Sequence, residues 1–334
     1  MTRRRTLLLV VATLVFAWSY YFGQKPRLVV YCAHDSIYAD SILREFTRQT
    51  GIPVATRYDT EATKSLGLTE LLVREKDAPR CDVFWNNELL GTLDLQDKGI
   101  LAPYRGSGWQ RIPENFKDAD GHWTGFAARL RVQIFNTTKW GGLPSPPADS
   151  PPNDRFAIAK PLYGTTLTHY AVLWQRWGRA KTTAWHRDWR ARGVRELNGN
   201  AAVKDAVAEG ACDTGFTDTD DFFEAKDDGK PVIMRPVQLD DGATLCIPNT
   251  VAIIRGTRRE TDARRLVDFL LSAETELALA RSKSRQIPLG PVPADQLPPE
   301  VRDLQAAAQR GVPLDALLPA RNECLAWLKA EEVK

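Results

Sequence analysis

The first hundred residues of this chain repeat one order of features three times: an apolar run, a polar loop, and a segment with apolar residues at helical spacing. The runs lie at residues 28–31, 52–58 and 80–85, and each favours a β-strand. Strands that alternate with helices are typical of a parallel sheet. We therefore predict an α/β fold that begins with three parallel strands.

Polar residues follow these predicted strands, at the edge where open parallel sheets bind small ligands. His34 lies in the first loop, just before a helix that Asp35 or Ser36 can cap. Glu88 follows the third strand, directly after Asn87. His34 either forms a hydrogen bond within its own loop or contacts a ligand, and this stretch alone favours neither role.

The middle of the chain offers two places for an anion. Residues 123–135 form a long predicted strand on which Arg129 and Arg131 share one face, turned either to solvent or to an anion. Thr165 and Thr166 open a helix directly after another predicted strand, at residues 156–159. A helix N-terminus with small polar residues favours negative charge.

The second half repeats this arrangement and adds an acidic run. Asn200 precedes a predicted helix, and the strand that ends at Thr217 leads into Asp218, Asp220 and Asp221. Helix capping accounts for one or two of these aspartates, but not for all three. The apolar run of residues 245–255 predicts a strand that returns to the first half of the chain.

The remaining segments are predicted to be mainly helical. Residues 261–280 have the apolar spacing of one amphipathic helix, and residues 288–299 form a proline-rich connector to further helices.

Charge and the N-terminus limit the classes of protein that fit. The chain of 334 residues has 45 basic and 42 acidic residues, a net charge of +3, which does not indicate nucleic-acid binding. Residues 1–26 contain three arginines before an apolar run, as in an export signal that is either cleaved or kept as a membrane anchor.

The five cysteines are scattered and have no CxxC spacing, which argues against a zinc cluster. In an oxidising compartment, Cys32 with Cys81 or Cys212 with Cys246 can form a disulfide, and buried free thiols are the alternative.

Several segments, taken in their order, resemble the periplasmic ferric-iron-binding proteins of ABC transporters, which are type II binding proteins. They are LVVYCAHDS, the GIPV strand, CDVFWNNE, GFAARLRVQIFNT, the GTT loop, the Asn200 helix, TDARRLVDFLLS and SRQIPL. The resemblance implies two α/β lobes joined by crossing strands. We predict lobe 1 from residues 27–130 plus 250–288, and lobe 2 from 131–249 plus 289–334.

The resemblance also implies a set of ligand-binding residues. His34 matches a family histidine that contacts iron, and Glu88 lies next to the position of a family glutamate. Thr165, Thr166 and Asn200 match positions that hold an anion, with Arg129 or Arg131 near them. The family has two adjacent tyrosines that bind Fe³⁺, and Asp220 and Asp221 stand in their place. Carboxylates are also hard oxygen ligands, so a hard cation can still bind here.

From this resemblance we expect an exported, monomeric solute-binding protein that delivers ferric iron or a ferric complex to an ABC permease. Its metal ligands would be His34, Glu88, Asp220 and Asp221, and Fe³⁺ would be its cargo, with no cofactor. An alternative is the same fold with an organic anion held by Arg129, Arg131 and the GTT loop. A less favoured alternative is an exported hydrolase, since the chain has no HExxH or GxSxG motif.

Overall fold

The computed structural model describes residues 27–59, 66–139 and 152–333. The predicted signal or anchor lies outside these residues, as does most of the loop between residues 136 and 154. None of the helices within the described ranges combines the length and the apolar character needed to cross a bilayer.

The described residues contain ten strands. They are β1 (Leu28–Cys32), β2 (Val54–Tyr58), β3 (Val83–Asn86), β4 (Leu101–Ala102), β5 (Thr124–Asn136), β6 (Phe156–Ala159), β7 (Arg195–Leu197), β8 (Thr214–Asp218), β9 (Val232–Pro236) and β10 (Cys246–Ile254).

Eleven α-helices and three short 3₁₀ turns complete the secondary structure of the described residues. The helices are α1 (Ser36–Thr50), α2 (Leu66–Arg74), α3 (Leu90–Asp97), α4 (Ser107–Arg111), α5 (Gly164–Ala191), α6 (Asn200–Ala208), α7 (Thr219–Asp227), α8 (Glu260–Leu270), α9 (Ala273–Arg281), α10 (Pro299–Gln309) and α11 (Leu318–Glu332). The turns are Glu114–Phe116, Thr137–Lys139 and Ala294–Gln296.

Hydrogen bonds connect all ten strands. Eight of them follow the order β2-β1-β3-β10-β5-β8-β6-β7, and off this path β4 pairs with β10 and β9 pairs with β5. β1 is parallel to β2 and β3, and β6 is parallel to β7 and β8. β5 and β10 are antiparallel to each of their neighbours. The predicted α/β architecture is confirmed: each sheet has a set of three parallel strands, and the antiparallel strands β5 and β10 cross between them.

Strand β5 contributes to both sheets. Its first part, from Thr124 to Leu130, pairs with β10, and its second part, from Arg131 to Asn136, pairs with β8 and β9. The change of partners therefore falls between Leu130 and Arg131, the boundary at which we divided the chain. The division into lobes itself stays a prediction.

Two predicted elements differ from the structure. The helix predicted over residues 261–280 is interrupted at Ser272, which has an extended backbone and accepts a hydrogen bond from the N–H of Thr275 at 3.1 Å. Ser272 therefore caps a second helix, α9. Ile37 has the helical spacing of the apolar residues Ile42, Leu43 and Phe46, which predicts a shared buried face, but it is 74% exposed while the other three are buried.

The five cysteines are buried free thiols. Strand register explains why the two predicted pairs do not form. Cys32 is opposite Trp85 in β3, whereas Cys81 precedes Val83, the partner of Val30. Cys246 is opposite Leu130 in β5, whereas Cys212 lies before β8, at the far end of β5.

Candidate functional site

A cleft of about 590 Å³ opens at the carboxyl ends of the parallel strands of both sheets. One wall comes from the segments after β1 and β3, and the other from the segments after β6, β7 and β8. Ser284, from the segment after α9, also reaches the cleft. This edge of the sheet is where the sequence predicts a ligand site.

Seven of the nine predicted site residues line this cleft; they are Glu88, Arg129, Thr165, Thr166, Asn200, Asp220 and Asp221. The other two, His34 and Arg131, are not on its surface. His34 is 3% exposed and stacks on Trp85, with ring centroids 5.4 Å apart. Its contact with a ligand stays a prediction, and in this structure its ring supports the wall behind Asp35 and Tyr38.

Arg131 lies fully buried behind one wall and organises the polar groups there. Its Nη1 donates to Asp218 Oδ1 at 2.9 Å and to Asn200 Oδ1 at 3.0 Å. Its two terminal nitrogens also donate to the hydroxyls of Thr165, at 3.2 Å, and Thr166, at 3.3 Å. One guanidinium therefore holds all three residues predicted to bind an anion.

The carboxylate at the centre of this wall belongs to Asp218, which was not among the predicted site residues. Its Oδ2 accepts hydrogen bonds from Thr165 Oγ1 at 2.6 Å and from Asn200 Nδ2 at 2.8 Å. Asp218 is 1% exposed, although it lies on the cleft lining. The acidic run in the sequence is the signal that could have identified it.

Asp218, Asp220 and Asp221 form a group in which one carboxylate oxygen of each lies within 4.8 Å of the others. Their closeness follows from the strand end of β8 and the first turn of α7. Burial, and then the charges of Asp220 and Asp218, raise the pKa of Asp221 to about 7. Such a cluster of carboxylates is a potential cation site, because a bound cation would relieve the repulsion among them.

Arg129 is the neighbour of this acidic group, and its Nη1 lies 3.5 Å from Asp220 Oδ2. Burial lowers the pKa of Arg129, but the negative charges of Asp220 and Asp218 act in the opposite direction. Their effect is the larger one, so the pKa of Arg129 is raised. Both strand arginines therefore face carboxylates of the protein. The solvent-facing orientation considered from the sequence is wrong, since Arg129 is 7% exposed and Arg131 is fully buried.

Glu88, on the opposite wall, is bound to its own helix. Its two carboxylate oxygens accept the backbone N–H groups of Leu90, at 2.6 Å, and Gly91, at 2.8 Å. Burial raises the pKa of Glu88, and these two N–H groups act against that rise. Glu88 therefore caps α3 while it also lines the cleft.

Tyr38 brings a phenol to the same wall, and the sequence analysis did not single it out. Burial, and then the charges of Asp35 and Asp220, raise the pKa of Tyr38. Asp220, on the other wall, is thus part of the electrostatic environment of this phenol. Its position in the first turn of α1, directly after the polar loop that contains His34, is the signal that could have identified Tyr38.

The lining is strongly acidic. Its carboxylates are those of Asp35, Glu88, Asp218, Asp220, Asp221 and Glu224. Among the residues that the structure describes, Arg129 is the one basic residue on this surface. A cleft with this balance attracts cations and repels anions.

Comparison with protein-family models gives no match. Two curated proteins are similar in sequence. The Fe(3+)-binding periplasmic protein of Serratia marcescens is 25% identical over 193 residues, which are 56% of this chain and 55% of that protein. Iron uptake protein A1 of Synechocystis is 22% identical over 288 residues, 82% of this chain and 79% of that protein. The chain thus aligns with about half of the first relative and with most of the second.

Solved structures show the same fold. Iron-bound HitA from Pseudomonas aeruginosa has a TM-score of 0.78 at 20% identity, covering 92% of this chain and 99% of that one. AfuA from Actinobacillus pleuropneumoniae, with bound fructose-6-phosphate, has a TM-score of 0.66 at 18% identity, covering 91% and 99%. In fold, and in sequence over most of its length, the chain therefore resembles the periplasmic ferric-iron-binding proteins.

Proposed function

We propose that this chain is an extracytoplasmic solute-binding protein of an ABC importer, and that it binds ferric iron or a ferric complex between two lobes. It is a transport protein rather than an enzyme, and it acts as a monomer that passes its cargo to a permease. The curated relatives support this proposal, because one is named for Fe(3+) binding in the periplasm and the other for iron uptake.

The observation that carries the proposal is the group of three carboxylates on one wall of the cleft. The clustered oxygens of Asp218, Asp220 and Asp221 are hard, anionic ligands, which suit a hard cation such as Fe³⁺. Asp220 and Asp221 are the ligands that we propose on this wall, and Asp218 adds its charge from behind them. Glu88, Asp35 and Tyr38 offer further oxygens across the cleft.

Export is part of the same proposal. The N-terminal arginines and apolar run predict passage across the cytoplasmic membrane, and the Serratia relative is named as periplasmic. A protein on that side of the membrane can capture a scarce cation and deliver it to a permease. Closure of two lobes over the ligand is the usual response of binding proteins with this architecture.

The test is a calorimetric titration of Fe³⁺–citrate into the wild type and into an Asp220→Asn/Asp221→Asn double variant. Removing two of the three clustered charges should weaken binding by about tenfold or more, because affinity for a hard cation depends on the charge of its ligands. Amide side chains keep the size of the aspartates and so preserve the packing of the wall.

Asp228→Asn is the matched control, since Asp228 is exposed at the opposite end of the same helix. It should bind Fe³⁺–citrate as the wild type does. Equal affinity in the double variant and in this control would remove Asp220 and Asp221 from the site. Absence of binding by the wild type would refute the proposed cargo.

A phosphate ester is the second candidate ligand, and the likeness to AfuA supports it. In that case Arg129 and Arg131 should seat the phosphate, but in this structure both arginines are paired with aspartates. The acidic lining therefore favours the cation. A thermal-shift screen with fructose-6-phosphate in metal-free buffer separates the two, since stabilisation under these conditions would support the ester.

A further inference from the structure

Two helices begin at the wall that Arg131 organises. Thr165 and Thr166 lie in the first turn of α5, and Asn200 begins α6. Helix N-termini favour negative charge, and the buried guanidinium of Arg131 adds a full positive charge between them. These groups together form a seat for an anion, which we call the Arg131 seat.

The Arg131 seat already holds an anion, and that anion is a side chain of the protein. Asp218 accepts hydrogen bonds from Arg131 Nη1 at 2.9 Å, from Thr165 Oγ1 at 2.6 Å and from Asn200 Nδ2 at 2.8 Å. The remaining hydroxyl, that of Thr166, donates to Asn200 Oδ1 at 3.3 Å. The two threonine hydroxyls, the amide of Asn200 and the terminal nitrogens of Arg131 are therefore directed at Asp218 or at one another.

A second, separate anion in this seat would meet unfavourable conditions. It would lie beside the negative charge of Asp218, with Asp220 and Asp221 close by. It would also have to replace the hydrogen bonds between Asp218 and the seat. Like charges in a partly buried wall repel one another strongly, since water screens them poorly.

We infer that Asp218 is a built-in counter-anion for Arg131, so that the cleft binds its cation without a small anion such as phosphate or carbonate. The inference rests on the proposed function, because it concerns how the same site binds Fe³⁺. Asp218 acts as a positioning residue: it offsets the positive charge of Arg131, which would otherwise oppose a cation at Asp220 and Asp221, and it holds Thr165 and Asn200.

The first experiment uses the wild-type protein. Fe³⁺–nitrilotriacetate is titrated into apo-protein in carbonate-depleted buffer, with and without 10 mM inorganic phosphate, and binding is followed by tryptophan fluorescence. The apparent affinity should change by less than about twofold on adding phosphate. A strong requirement for phosphate would overturn the inference. Absence of iron binding in both buffers would instead refute the proposed function.

The second experiment uses Asp218→Asn, which keeps the size of the side chain but removes its charge. The variant should bind iron about tenfold or more weakly without phosphate, and 10 mM phosphate should restore much of the loss by entering the vacated seat. Phosphate should also raise the melting temperature of this variant, but not that of the wild type. If Asp218 had only a structural role, phosphate would not restore the iron affinity that the variant loses.

Asp213→Asn is the control, because Asp213 pairs with Arg155 away from the cleft. Like Asp218→Asn, this substitution removes one negative charge from the same part of the chain. Its iron binding should match that of the wild type and be insensitive to phosphate. If Asp218→Asn does not fold, calorimetric titration of phosphate into wild-type apo-protein decides the question. No saturable heat is expected, and specific phosphate binding at the seat would contradict the inference.

Discussion

Asp221 illustrates how the proposed ligand site is built at a cost to stability. Its carboxylate is partly buried beside Asp220 and Asp218, and this environment raises its pKa to about 7. The pKa of an aspartate in an unfolded chain is about 3.9, so the folded protein keeps a proton that the unfolded chain releases between these values. The contribution of Asp221 to stability is present below about pH 4 and is lost as the pH rises towards 7.

Asp221→Asn should therefore raise the melting temperature of the metal-free protein at pH 8. The amide still accepts the hydrogen bond that Thr217 Oγ1 donates to Asp221 at 2.7 Å, but it carries no charge. The gain should shrink towards pH 4, where the wild-type carboxyl is protonated in the folded state. Thermal melts in a chelating buffer at both pH values measure this.

Asp228→Asn serves again as the control, because Asp228 is exposed. The melting temperature of this variant should equal that of the wild type at both pH values. If Asp221→Asn had a melting temperature at or below that of the wild type at pH 8, this result would contradict the raised pKa of Asp221.

Single residues also show the limit of prediction from sequence. Residue patterns and the family resemblance put Asp220, Asp221, Thr165 and Asn200 among the predicted ligand-binding residues. All four line one cleft, and their role as ligands stays a prediction. The patterns did not reveal that Asp218 fills the seat between them, because that depends on side-chain directions fixed by packing. The burial of His34 against Trp85 depends likewise on contacts made only in the folded chain.

Strand β5 has an unusual backbone close to the point where it changes partners. Ala127 has a φ of 42°, in the left-handed region that residues other than glycine seldom adopt. Its N–H donates to Glu276 Oε1 at 2.9 Å, and its carbonyl accepts a hydrogen bond from Asn249 Nδ2. Buried polar side chains on both sides thus hold the strand in this conformation.

Ala127→Gly should lower the free energy of unfolding less than Ala128→Gly does. The difference between the two variants should be about 1 kcal/mol. Both alanines are fully buried, and both substitutions remove one methyl group and add the same freedom to the unfolded chain. Only the change at residue 127 also relieves a positive φ, since Ala128 does not have one. Urea unfolding of the two variants measures the difference, and an equal or reversed order would contradict the strain.

At the level of elements, periodicity identified most of the long helices and strands but failed where one residue decides a boundary. The spacing of Leu266, Leu270 and Leu277 fits one continuous helix, yet the extended backbone and capping bond of Ser272 divide it. Strands β4, β7 and β9 were missed. β4 and β7 have only two and three residues, and β9 contains an arginine and ends in a proline, so its sequence is a weak strand signal.

Two ion pairs join segments that we predict to belong to different lobes. Arg285 contacts Asp227 through two hydrogen bonds of 2.8 and 2.9 Å. Arg321 lies 3.3 Å from Asp94 in α3. Both pairs are partly shielded from solvent, so they can hold the two halves of the molecule together more firmly than exposed pairs do.

An Arg285→Gln/Arg321→Gln double variant should therefore open more readily without ligand. Its radius of gyration, measured by small-angle X-ray scattering at low ionic strength, should exceed that of the wild type. Salt at about 1 M should reduce the difference, because the screening length then falls to about 3 Å. Arg48→Gln is the control, since Arg48 pairs with Glu45 on its own helix. Equal radii of the double variant and the wild type at low salt would contradict a role in holding the lobes.

The order of strands across the whole molecule was predicted only in outline. Alternation of strands and helices indicated parallel sheets, and the long apolar run near residues 245–255 indicated a return crossing. The position of β10 between β3 and β5 depends on pairings between residues more than a hundred positions apart, such as Thr250 with Asn86. Local patterns cannot specify such pairings, because they arise from the packing of the complete chain.

The shared strand also limits how this protein can be taken apart. The first half of β5 pairs with β10, and its second half pairs with β8 and β9. A chain break between Leu130 and Arg131 would therefore leave strands with unpaired backbone N–H and C=O groups on both fragments. Separately expressed halves should then aggregate instead of folding. Engineers who wish to divide this molecule, or to insert a reporter domain, should use surface loops and leave that strand intact.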